Sequence, residues 1–206
     1  MAIRPGRRLD PIPHLPGSMR PPADDALDHA LMAAVGRRDG GAFARLVERH
    51  YGWALGFTDR MLGTRPEAED LVQTAFLRVW QGAARWEPNA RFSTWLYRVL
   101  HNLCMDQFRA RAAAASEPLD GALAERLADE TAGGEERVSR QQRRAHVRTA
   151  LAGLPARQRA ALVLCYYEEL SQAEAAALLG VSEGALESLL SRGRATLRKW
   201  LRDDLQ

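Results

Sequence analysis

Lysine is almost missing from this chain: Lys199 stands alone, and every other residue among the 29 lysines and arginines is an arginine. That skew reflects genome composition and excludes no function. The scarcity of cysteine excludes more. Only 2 are present, Cys104 and Cys165, far apart and each set in an apolar helical pattern. A disulfide-stapled secreted domain is thereby ruled out, and the thiols read as small buried hydrophobes in a reducing compartment. His101 and Cys104 fall on one helix face, but two ligands without further partners do not make a zinc site. No apolar run approaches the roughly 20 residues of a membrane span. The arginines near the N-terminus precede no apolar block of the signal-peptide kind. A Gly-rich phosphate loop, a nucleophile motif and a cluster of metal ligands are missing too. These absences predict a cytoplasmic protein that is not an enzyme, with no cofactor, no metal, no small-molecule substrate and no direct membrane insertion.

What is present is helical periodicity. Hydrophobic residues at 46% and charged residues at 27% suit a globular protein, and 206 residues suit one large or two small domains. The net charge is only +3, so basic patches must be judged by position. The most informative stretch runs from Leu170 to Trp200. Ser171 and Glu174 have capping-box spacing, Ala175, Leu178 and Leu179 follow on one face, and Gly180 marks a left-handed stop. Ser182 then caps a longer helix whose Leu186, Leu189, Leu190, Leu197 and Leu201 recur at three- and four-residue steps. Its other face carries Glu187, Ser188, Ser191, Arg192, Arg194, Arg198 and Lys199. A short helix, a glycine turn and a longer helix with a polar and basic face make a helix-turn-helix. The plainer reading is a helical hairpin with a solvated face.

The remainder is also helical. Residues 1–24 hold Pro5, Pro11, Pro13, Pro16, Pro21 and Pro22 among arginines, which predicts a flexible tail. Apolar spacing predicts a helix from Asp25 to about Arg37 and a second from Ala42 to about Leu62, ended by Gly63. Thr64 and Glu67 suggest another capping box, with Pro66 early in the first turn. In this third helix Ala68, Leu71, Val72, Ala75, Phe76, Val79 and Trp80 form the core stripe. Asp70, Gln73, Thr74, Leu77, Arg78 and Gln81 fall opposite, as a docking surface or plain solvated helix. The turn 86–90 leads to a helix mixing Arg91, Trp95, Tyr97, Arg98, Asn102, Arg109 and Arg111. Cations hold phosphates, and aromatic and amide groups receive unstacked bases. From 113 to 136 the pattern gives way to an acidic linker that carries Glu117, Asp120, Glu125, Asp129, Glu130, Glu135 and Glu136 against Arg126. The expectation is an all-α chain: a tail over 1–24, a helical domain over 25–112, the linker over 113–136 and a helix-turn-helix domain over 137–206.

Three blocks in this order resemble a known family. Residues 65–80 (Arg65-Pro66-Glu67-Ala68-Glu69-Asp70-Leu71-Val72-Gln73-Thr74-Ala75-Phe76-Leu77-Arg78-Val79-Trp80) resemble the core-binding helix of extracytoplasmic-function (ECF) sigma factors. Phe92-Ser93-Thr94-Trp95-Leu96-Tyr97-Arg98-Val99, with Asn102, Asp106 and Arg109 beyond, resembles the segment that follows it. Leu154-Pro155-Ala156-Arg157-Gln158-Arg159 and the helix-turn-helix are similar to the family's C-terminal domain. The resemblance implies sigma region 2 over 25–112 and region 4 over 137–206. It implies that Asp70, Gln73, Leu77 and Arg78 meet the β′ clamp helices of core RNA polymerase. Asn89, Arg91, Trp95, Arg98, Asn102 and Arg109 would melt and hold the promoter −10 element, with a flipped base near Asn89 and Asn102. Ser182, Glu183, Glu187, Ser188, Ser191, Arg192 and Arg194 would read the −35 element, beside a contact with the polymerase β flap. The linker would thread a basic path toward the active-site channel, where its acidity fits. An anti-sigma factor is a usual further partner.

Two features depart from the family pattern. The recognition helix has Glu187 and Leu189 where basic or hydroxyl residues are common, and the Pro-rich tail lies outside the shared blocks. Glutamate accepts from cytosine N4 but repels phosphates, which shifts the expected −35 sequence. The alternative reading is a freestanding helix-turn-helix regulator, which needs a dimerisation element to pair half-sites; no separate one is evident. A pure protein-interaction bundle leaves the aromatic and basic helix at 91–111 unaccounted for.

Overall fold

Most helices begin where the sequence offers a cap. Asp24 Oδ1 accepts the Leu27 N–H at 3.0 Å and opens α1 (Asp25–Gly36). Asp39 Oδ1 accepts the Ala42 N–H at 3.0 Å and opens α2 (Gly40–Leu62), which Gly63 closes at φ 79° in the left-handed region. α3 (Arg65–Gly82) has Pro66 in its first turn. A 3-10 turn (Ala83–Arg85) and a loop lead to α4 (Phe92–Ser116), which runs past the expected start of the linker. A helical stretch over 147–152, α5, precedes α6 (Ala156–Leu162), which passes into a π turn (Val163–Tyr167). α7 (Gln172–Leu179) and α8 (Glu183–Asp203) complete the chain. The computed structural model describes residues 21–22, 24–116 and 147–203, with 115–116 and 201–203 as backbone only. Nearly all of the expected tail and linker therefore lies outside the described residues, and no strand occurs among the described ones.

Two capping predictions came out differently. Ser171 and Glu174 form the full reciprocal box, each bonding the other's backbone N–H. Thr64 does not: it makes no side-chain bond to the α3 backbone and instead donates its hydroxyl to Glu67. Arg111, reaching over from α4, pairs with the same Glu67 carboxylate. A cation from a packed neighbour competes better for the carboxylate than an N–H at the helix start.

α1, α2, α3 and α4 enclose a core built on Trp53, Phe57, Phe92, Met32 and Met61, all essentially buried. One polar network is embedded in it. Trp53 Nε1–H donates to His50 Nδ1 at 3.0 Å, so that nitrogen must be bare, and His50 Nε2–H donates to Asp28 Oδ2 at 2.9 Å. Arg49 Nε pairs with the other Asp28 oxygen at 2.9 Å. Burial pushes the His50 pKa below its ordinary value, against the pull of Asp28. In the second domain α6, α7 and α8 meet through small residues: Ala160, Ala161, Ala175 and Ala176 are buried beside Leu162, Leu186 and Leu190. Gly193 lets α8 approach α6, since a Cβ there would lie 2.8 Å from Leu162 Cδ1. The two cores are continuous, with one cluster of buried residues running from Leu31 to Leu190 through both domains.

Candidate nucleic-acid interface

The third helix presents its expected face. Ala68, Val72, Ala75, Phe76 and Val79 are buried, while Asp70, Gln73, Leu77 and Arg78 are all exposed. Leu77 is 58% exposed and is the one large hydrophobic so exposed among the described residues. A lone leucine outside a core is ordinary. Here it sits centrally between amide and charged groups on a rigid helix, the composition of a docking face.

The loop before α4 is braced from α1. His29 Nε2–H donates to the Ala90 carbonyl at 3.3 Å, and its ring meets Trp86 edge-on at 5.2 Å. Arg91 Nε pairs with Asp25 at 3.0 Å. Within the loop Asn89 Nδ2 donates to Glu87 Oε2 at 2.9 Å, which orients the exposed Asn89 amide. Beyond the loop, Arg91, Trp95, Arg98, Asn102 and Arg109 recur at steps of four, three, four and seven residues, one stripe along the helix. Arg98, Asn102 and Arg109 are exposed, and Trp95 is half-buried against Phe92. Arg109 also pairs with Asp106. Two residues of the sequence pattern do not join the stripe. Tyr97 is buried and Arg111 turns to Glu67, because both lie on the faces of α4 that pack against other helices.

On α8 the Ser182 hydroxyl accepts the Ala185 N–H at 3.2 Å as the expected cap. Glu183, Glu187, Ser188, Ser191 and Arg192 are exposed along one face. The Ser188 hydroxyl donates to the Gly184 carbonyl and Arg192 Nε to the Ser188 carbonyl, at 3.0 and 3.3 Å. Arg194 differs from its neighbours: it is half-buried and donates to Tyr166 Oη at 3.1 Å, tying α8 to the π turn.

The two polar surfaces are brought together. A cavity of about 400 Å³ has Asn102 and Arg109 of α4 on one wall, and Arg157, Leu179, Val181 and Leu189 of the second domain on the other. His101, buried at its floor, has its pKa lowered by desolvation, with Arg157 adding to the effect and a bond with Asn102 opposing it. The seam beside this cavity is held by Arg60, Tyr97, Arg159 and Glu168; of these the sequence singled out only Tyr97, as part of a nucleic-acid face. Arg159 and Glu168 stand at the two ends of the apolar run 160–167, beside Arg157, Gln158 and Glu169, so the local pattern does not set them apart from solvated residues.

Comparison with known proteins follows the same division. Residues 46–114 match the family model for sigma-70 region 2, and residues 144–197 match that for sigma-70 region 4. The chain is 34% identical over 174 residues to the ECF RNA polymerase sigma factor SigM of Mycobacterium tuberculosis, covering 84% of each. It is 32% identical over 177 residues to the ECF sigma factor SigW of Bacillus subtilis, covering 82% of this chain and 94% of the relative. It is 33% identical over 183 residues to the sigma factor CnrH of Cupriavidus metallidurans, covering 86% and 95%. The solved structure of CnrH in complex with the cytosolic domain of CnrY matches at TM-score 0.60 and 30% identity, over 86% of this chain and 99% of that one. With both regions in order on the helices that carry the exposed faces, and relatives matched over most of their length, the chain belongs to the ECF family of RNA polymerase sigma factors.

Proposed function

We propose that this sigma factor divides its work among three helix faces. Asp70, Gln73, Leu77 and Arg78 on α3 dock on the β′ clamp helices, with Leu77 as the apolar anchor. Asn89 and the α4 stripe of Arg91, Trp95, Arg98, Asn102 and Arg109 hold the melted −10 element. The cations take phosphates, Trp95 stacks on a base, and Asn89, oriented by Glu87, offers its carbonyl to a flipped base. The exposed α8 face from Ser182 through Arg192 enters the major groove at −35, with Arg192 positioned to take guanine and Glu187 to accept from cytosine. Arg194 serves this face indirectly, by fixing α8. The chain carries out no chemistry of its own and acts in the cytoplasm, where its polymerase is. An anti-sigma partner, of the kind seen on CnrH, is part of the reading.

The observation that carries this reading is the α4 stripe, because cations, an aromatic ring and an amide at helical spacing suit single-stranded nucleic acid. Run-off transcription with purified core polymerase tests it. Promoter-dependent transcripts are expected only when this protein is added. A protein that instead binds duplex operators as a free dimer would overturn it.

A further inference from the structure

The loop that carries Asn89 has bonds of its own, but they are local. Asn89 bonds Glu87 through its backbone N–H at 2.8 Å and through its side chain at 2.9 Å, and the Trp86 N–H bonds the Ala83 carbonyl at 3.2 Å. None of these three ties the loop to the body of the domain. Helix α1 does, in antiparallel order along the segment from Trp80 to Arg91. Just past its C-terminal end Arg38, at φ 68°, donates to the Trp80 carbonyl at 3.2 Å and stands 5.4 Å from the centre of the Trp80 ring. A Cβ at Gly36 would lie 3.1 Å from the Ala83 carbonyl oxygen, which leaves little slack for a side chain between α1 and the 3-10 turn. Nearer the N-terminal end, His29 donates to the Ala90 carbonyl and sets its ring edge-on to Trp86. Asp25, in the first turn, pairs with Arg91. Asp25, His29 and Gly36 are spaced four and seven residues apart, one stripe of the helix.

A second branch runs through the core. Buried Asp28 holds His50 by its Nε2–H, the His50 ring meets Phe92 edge-on at 4.7 Å, and Phe92 lies 6.0 Å from the half-buried Trp95. One helix thus reaches the backbone of the loop, the cation at its end and, through two rings, the indole at the start of the α4 stripe. Ordering a free loop costs about 1–2 kcal/mol per residue, and a loop ordered beforehand spares its ligand that loss. An amide also discriminates among bases only when it is held at hydrogen-bond distance and angle. Residues 46–114 are those matched to sigma-70 region 2, so α1 precedes the matched residues.

We propose that α1 is a positioning element for −10 recognition: Asp25 and His29 hold the 86–91 loop directly, Asp28 holds the start of α4 through His50, and together they set how sharply the flipped base is discriminated without touching it. The inference rests on the −10 role proposed above for Asn89 and the α4 stripe; the brace itself does not.

His29 offers the test, because it is only half-buried and its replacement spares the core. His29→Phe keeps a ring against Trp86 and removes the N–H, whereas His29→Gln keeps an N–H donor. In the free protein His29→Phe should speed amide hydrogen exchange over 86–91, and His29→Gln should exchange like the native chain. Each protein is then assembled with core polymerase and given a promoter library randomised at the −10 and −35 positions, and the transcripts are sequenced. His29→Phe is expected to flatten the base preference at the most constrained −10 position by about five-fold or more, the scale of one lost hydrogen bond. Pull-down of core polymerase, the −35 preference and the melting temperature should not change, and His29→Gln should keep most of the preference. Asp25→Asn should instead lower transcript yield evenly over the −10 bases, since Arg91 is assigned to a phosphate. Unchanged exchange, unchanged base preference, or a loss of preference that tracks a fall in melting temperature would each overturn the proposal. If exchange behaves as described but the native protein supports no promoter-dependent transcripts, the −10 assignments fall and the positioning role with them, while the α1 brace stands.

Discussion

The two domains are stabilised by different means. The first surrounds large aromatic side chains, Trp53, Phe57 and Phe92, with a fixed polar network at His50. The second closes on alanines, leucines and a glycine, so its helices lie close but each side chain removes little surface from water. Hydrophobic stabilisation follows area. The first domain can therefore serve as a rigid platform for α3 and α4, while the second draws part of its burial from the seam.

Substitutions can break or sharpen this contrast. Phe57→Ala should have the largest effect, lowering stability by about 3–5 kcal/mol through the cavity it leaves, read by urea melts. Leu190→Ala in the second domain should fall lower, near about 2 kcal/mol, because neighbouring alanines leave less to lose. Equal losses would erase the distinction. At the interfaces, Asp70→Ala with Arg78→Ala should weaken pull-down of core polymerase without touching DNA affinity. Arg192→Ala should cost about 1–3 kcal/mol on the preferred promoter, with little change on unrelated DNA if it reads a base. A uniform loss would make it a phosphate contact.

Acid should act oppositely on platform and seam. His50 has a folded pKa below its ordinary 6.5, so the unfolded chain takes up the proton first. Its contribution is present above about 6.5 and is lost as pH falls below that toward the depressed folded value. Protonating His50 Nδ1 would also break the bond from Trp53. Burial raises the pKa of Glu168, with Arg60 and Tyr97 opposing. Its contribution to the closed seam is present below the ordinary 4.5 and is lost as pH rises through the raised value. Mild acidification should thus lower the melting temperature of the platform while tightening the packing of the two domains. Tryptophan-detected melts and scattering over one pH series would separate these. A melting temperature that does not fall below pH 6.5 would remove the role given to His50.

The helices and most of the exposed faces were legible because periodicity records which side of a helix meets solvent. Leu77, the α4 stripe and the Ser171 box needed only local spacing. What spacing could not carry were competitions decided by another helix. Thr64 loses its capping role because Arg111, far along the chain, sits at the same carboxylate. Tyr97 reads as part of a nucleic-acid face until Glu168 is found against it. Arg194 reads as a DNA cation until Tyr166 is seen to hold it. The cavity shared by Asn102 and Leu189 joins residues from opposite sides of the linker, and no local pattern places them together.

The π turn has a consequence for how such chains diverge. A π turn is an α-helix carrying one additional residue. Deleting one position between Val163 and Tyr167 would restore regular winding and rotate the residue now at Glu168 by about 100° about the helix axis. Its carboxylate would leave Arg60 and Tyr97, while α7 and α8 could follow the shortened helix as a unit. A one-residue gap in an alignment of relatives at positions 163–167 would then mark where a lineage had given up the bond between Arg60 and Glu168.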